Sequence, residues 1–181
     1  STPKPSSAAS DVYKRQVEEN LNAVLEMLPL SRDQKKERLD SLLNELGIQH
    51  VRKIKGYALS GGESRRAEIA RALVLEPAIM LLDEPFAALD ILSISTLQQI
   101  IVNLQTRSKI TIIICDHQAR DLLACVDIAM ILSNGKIIAQ DTPSNLVKNI
   151  NQFEPWRKWH VLDRIISKSV NLFFPSIIFT A

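Results

Sequence analysis

Apolar residues recur three and four apart through "VEENLNAVLEML", at Val17, Leu21, Val24, Leu25 and Leu28, which is the spacing of one helix face, and Pro29 stops the run. A second helix is expected next: Ser31 and Gln34 fit a capping box, Leu39, Leu42, Leu43 and Leu46 form its stripe, and Gly47 suits its C-terminal cap. Together these helices predict a small helical subdomain over residues 17–58. From Ser60 the pattern changes to alternating helix and buried strand. Helices are expected near 62–75, 93–106 and 118–125, and strands at "AIMLL" (78–82), "KITIIIC" (109–115), "IAMIL" (128–132) and "KIIAQ" (136–140). Asn134-Gly135 between the last two strands is a hairpin signal. Continuous Ile/Leu strands separated by amphipathic helices predict an α/β fold with a mostly parallel sheet, covered on both faces.

The ends of the chain lack such periodicity. Residues 1–16, "STPKPSSAASDVYKRQ", are rich in Ser, Ala and Pro without an initiator Met, and read as a disordered or foreign leader with no part in the fold. Thr142, Pro143 and Ser144 open a short helix carrying Leu146, Val147 and Ile150. The segment 151–181 has no assignment, and Trp156 and Trp159 read as packing or interface residues.

Composition narrows the classes. With 46% hydrophobic residues, 23% charged residues and a net charge of +2, the 181-residue chain lacks the strongly basic balance of a dedicated nucleic-acid binder, so no nucleic-acid partner is expected. Cys115 and Cys125 lie in apolar surroundings without metal-ligand spacing and read as buried thiols. The tail "SVNLFFPSIIFTA" is too short for a membrane span and is interrupted by Pro175.

The candidate chemistry lies between residues 59 and 117. "SGG" at Ser60, Gly61 and Gly62 precedes a helix, so backbone N–H groups at its positive end are open to an anion with no Cβ in the way. The strand 78–82 delivers Asp83 and Glu84 at its C-terminal end, where open parallel sheets place ligand sites, and Pro85 forces the chain out of the strand. Two carboxylates there incur a desolvation cost that a bound cation offsets. "IIICDH" (112–117) brings His117 to the end of another buried strand, towards the same sheet edge.

Taken in order, "LSGGE", "AIMLLDEP", "FAALD" and "IIICDH" resemble the signature motif, Walker B strand, D-loop and switch histidine of the ABC-type ATPases. The resemblance spans about residues 17–150 and implies a P-loop NTPase core over 59–150. It implies that Ser60, Gly61, Gly62 and Glu63 contact the γ-phosphate of ATP held by a second copy in a homodimer, and that Asp83 holds Mg²⁺. Glu84 would be the general base, Asp90 would communicate across the dimer, and His117 would sense or orient the γ-phosphate. It further implies membrane-spanning permease subunits as partners and a place on the cytoplasmic face of a bacterial inner membrane. Within the family, "LSGGESRRAEIARAL", "LLDEPFAALD" and "DHQARDLLACVDIAMILSNGKIIAQDTP" are similar to the subunits that power lipopolysaccharide export. The chain departs from them at Ala87-Ala88-Leu89-Asp90-Ile91, where a Gly-Val-Asp-Pro run is usual, and in its tail.

None of the glycines at 47, 56, 61, 62 and 135 begins a G-x-x-x-x-G-K-[ST] loop, and Gln16 lies too close to the first helix to serve as a Q-loop. The expectation is therefore the C-terminal portion of an ABC ATPase domain, inactive alone, binding MgATP weakly and poorly soluble through exposed strand edges. Other cargoes, such as branched-chain amino acids, stay open because importers share the four motifs. So does a non-catalytic regulatory fragment. The ATP-binding heads of DNA-repair and chromosome-maintenance proteins need a coiled-coil insertion for which residues 17–59 leave no room.

Overall fold

A computed structural model of the chain describes residues 13–133, 136–149 and 177–180. The chain divides into two compact units, one up to Pro77 and one from Ala78. The helix after Ser60 falls in the first of these units, whereas the helical subdomain expected from the sequence spans residues 17–58.

In the first unit, α1 (Val17–Leu25), α2 (Arg32–Glu45) and α3 (Gly61–Leu73) pack on one another. Leu21, Leu25, Leu43, Leu46 and Ile48 have no exposed surface, and truncating a side chain such as Leu43 to Ala would cost about 2–5 kcal/mol. The capping box at α2 is present: Gln34 N–H donates to Ser31 Oγ at 3.3 Å and Ser31 N–H to Gln34 Oε1 at 2.9 Å. Gly47 adopts φ 63, the left-handed turn that lets Ile48 N–H reach back to Leu43 O at 2.8 Å and end the helix. Arg52 ties the two helices together through Glu18 at 2.5 Å and through Asp40.

Residues 1–16 were expected to take no part in the fold, and for Arg15 and Gln16 this needs correction. Gln16 bridges Lys55 in antiparallel fashion, Gly56 N–H donates to Arg15 O at 3.1 Å, and Gln16 N–H donates to Glu19 Oε2 at 2.8 Å. Side-chain periodicity could not reveal them, because their contribution is largely through the backbone.

The second unit holds β1 (Ile79–Asp83), α4 (Ile91–Ser108), β2 (Thr111–Asp116), α5 (Ala119–Leu123), β3 (Ile128–Ser133), β4 (Lys136–Asp141), α6 (Pro143–Asn149) and β5 (Ile177–Thr180). The sheet order is β1-β2-β5-β3-β4. β1 and β2 pair in parallel, with Ile79 beside Thr111 and Asp83 beside Cys115. β5 lies antiparallel to both β2 and β3, so β1, β2 and β3 share one direction, and β3 and β4 form the expected hairpin. The Asn134-Gly135 turn and both tryptophans lie outside the described residues.

α4 and α5 pack on β2, in which Ile112 and Ile114 are fully buried. The other face was also expected to be covered, and at β1 it is not: Ile79 is 59% and Leu81 73% exposed, while Met80 between them is buried. The strand's apolar residues on both faces encouraged the two-sided expectation.

Candidate functional site

The Ser-Gly-Gly turn lies in the helical unit. Ser60 has extended backbone and caps α3, its Oγ accepting from Glu63 N–H at 3.3 Å. Glu63 returns its carboxylate to the turn, where Oε2 accepts from Ser60 N–H at 2.9 Å and from Ser60 Oγ–H at 2.7 Å. This reciprocal bonding follows from the S-x-x-E spacing. The other carboxylate oxygen is 2.9 Å from His50 Nε2. The Ser60 hydroxyl first, and the Ser60 backbone N–H second, hold Glu63 down to about 2 from an ordinary 4.5, with His50 adding to the shift. Ser60 and Gly61 are exposed and Gly62 is buried, so an approaching anion would meet the first two, while the Glu63 carboxylate is taken up within the turn.

The carboxylates and the histidine lie in the second unit. β1 ends at Asp83, and the chain turns at once: Glu84 has φ 45, and its N–H donates to Cys115 O at 2.7 Å. His117 follows directly on β2, and the parallel register places the two strand ends side by side. His117 Nδ1 lies 3.3 Å from Glu84 Oε1, with the side chains 45% and 57% exposed. The two residues singled out for catalysis thus come together at one edge, open to solvent. Asp83 is exposed at the same edge, beside Cys115, whose thiol pKa is raised by burial and then by the charge of Asp83. Burial pushes Cys125 up to about 12, which makes it an inert core thiol.

Among the described residues no group of three or more His, Cys, Asp or Glu side chains is disposed to hold a metal ion. Asp83 offers an exposed carboxylate at this edge. That fits Mg²⁺, which takes one or two carboxylates and completes its shell with phosphate oxygens and water.

Asp90 caps α4: Oδ1 accepts from Ser93 N–H at 3.0 Å and Oδ2 from Ser93 Oγ–H at 2.6 Å. Between Glu84 and Asp90 the chain makes a tight turn in which Ala88 has φ 58, a backbone that favours glycine. His50, Asp116 and Gln118 escaped notice in the sequence. Nothing local marks His50, but Asp116 carried a signal, as a carboxylate at an inward position of an otherwise apolar strand.

The ABC transporter family profile matches residues 6–87. A probable ABC transporter ATP-binding protein of Azorhizobium caulinodans is 46% identical over 72% of this chain and 46% of its own length. The lipopolysaccharide export system ATP-binding protein LptB of Acidithiobacillus ferridurans is 45% identical over 71% of this chain and 53% of its own length. The chain therefore spans about half the length of these curated relatives. Among solved structures, CbiO1 of Clostridium perfringens, part of the ABC transporter complex CbiONQ, superposes with a TM-score of 0.71 at 27% identity, covering 86% of this chain and 64% of its own.

Proposed function

Because the chain belongs to the ABC transporter ATP-binding family, we propose that it supplies the catalytic carboxylates, histidine and signature turn of an ATP-hydrolysing subunit. The observation that carries this reading is the approach of His117 Nδ1 to within 3.3 Å of Glu84 Oε1, at two adjoining strand ends with Asp83 beside them. Glu84 acts as the general base that accepts a proton from the attacking water. His117 orients the γ-phosphate beside it. Asp83 contributes one ligand to Mg²⁺, which when bound neutralises charge on the phosphate oxygens. The turn at Ser60, Gly61 and Gly62 serves ATP held by a second copy, so the working unit is a homodimer.

Replacing Glu84 by Gln in the protein as its gene encodes it removes the base while keeping shape and hydrogen bonding. ATP turnover should fall by about 100-fold or more, with ATP binding retained. Turnover within a few-fold of the original would overturn the assignment.

The more specific reading is a motor for lipopolysaccharide export, working with permease subunits at the cytoplasmic face of the inner membrane. Its support is the 45% identity to an LptB protein. No helix among the described residues is long and apolar enough to cross a membrane. In this reading, depleting the protein makes lipopolysaccharide accumulate at the inner membrane. Normal delivery under depletion would turn the proposal towards another cargo.

A further inference from the structure

Asp116 is the one charged residue among the described residues that is buried, and its side chain has no exposed surface. Among the described residues it meets no Lys or Arg, and its nearest titratable neighbour is His117, whose Nδ1 lies 3.8 Å from Oδ1. Oδ2 accepts from Phe86 N–H at 3.1 Å and Oδ1 from Gln118 N–H at 2.8 Å. Gln118 completes the contact in the other direction, with Nε2 donating to Phe86 O at 3.2 Å. Both backbone groups of Phe86, whose ring is fully buried, are therefore held by the residues on either side of His117.

The held turn needs holding. Glu84 and Ala88, two positions before and after Phe86, both have left-handed backbone that residues with a Cβ adopt only when their surroundings impose it. A buried carboxylate loses its hydration, a cost that simple packing would avoid with an apolar residue.

We propose that Asp116 and Gln118 are positioning residues: a two-point clamp on Phe86 that fixes the turn from Glu84 to Asp90 against the loop of His117, and so sets the spacing of base and histidine. The claim rests on the ATPase reading above, and neither residue touches substrate. It also ties any displacement at His117 to Asp90 through a short run of backbone.

The test compares Asp116→Asn and Gln118→Ala with the original, in the protein as its gene encodes it, by amide hydrogen exchange and by ATPase kinetics. Asp116→Asn should speed exchange at Phe86 on the order of tenfold or more, while the buried helix amide of Ile101 stays protected. Both variants should lower kcat about tenfold with KM for ATP within twofold. Gln118 is half-buried, so its variant keeps the fold if Asp116→Asn does not. Unchanged exchange at Phe86, uniform loss of protection in both variants, or kcat and KM falling together would each overturn the clamp. If the original protein hydrolyses no ATP, the reading above fails instead, and the exchange data still decide whether the clamp exists.

Discussion

Glu63 places a negative charge at the helix end where an anion would approach, and its local bonding resolves the apparent conflict. The carboxylate is bonded to Ser60 and faces His50, so it orients the serine and stabilises the helix end. Its folded pKa lies below its ordinary value, so the stability it contributes is fully present above about 4.5 and is lost as pH falls towards about 2. Glu63→Gln keeps an oxygen for the Ser60 N–H but has no charge to lose. Thermal unfolding followed from pH 6 to pH 2 should show a flatter acid limb in the variant than in the original, and equal slopes would remove Glu63 from the acid response. The S-x-x-E spacing that produces this cap was visible in "LSGGE", but the same letters also read as a phosphate-contacting motif, and that reading hid the simpler job of the fourth residue. Asp90 repeats the pattern, since a residue read for signalling across a dimer also caps α4.

Elements were legible wherever a local rule determined them. Ser31 with Gln34 and Gly47 do in space what their spacing implies, and the Ile/Leu runs of β1, β2 and β3 form strands as expected, because capping and strand periodicity act within a few residues. β5 was not legible: a short apolar stretch in the tail carries no periodicity, and its place between β2 and β3 is a long-range choice. The end of α4 was marked by no glycine. Lys109 takes the position after the helix with φ 53, where a Cβ costs about 1 kcal/mol or more. Lys109→Gly relieves that cost at an exposed site, partly offset by the greater freedom of glycine in the unfolded chain. Chemical denaturation should show a net gain of about 0.5–1 kcal/mol with an unchanged m-value; a loss would mean that the Lys109 side chain contributes more than its backbone costs.

At the scale of the whole molecule, β1 combines two features that seldom coexist in a soluble protein. Among the described residues it is an edge strand, with a partner on one side only, and one of its faces presents Ile79 and Leu81 to water. The unpaired backbone of an edge can template another strand, and the apolar face strengthens the association once strands meet. Both hazards act between molecules, so they should appear as a concentration-dependent loss of monomer rather than as low intrinsic stability. Replacing Ile79 and Leu81 together by Thr keeps β propensity while removing apolar surface from the exposed face. Because neither side chain is packed, the change in unfolding free energy should stay within about 1 kcal/mol, as for surface substitutions generally. Light scattering across a concentration series should then show the variant monomeric at protein concentrations where the original associates. Association that persists unchanged would place the sticky surface elsewhere, with the exposed pair Ile91 and Leu92 at the start of α4 the next to replace.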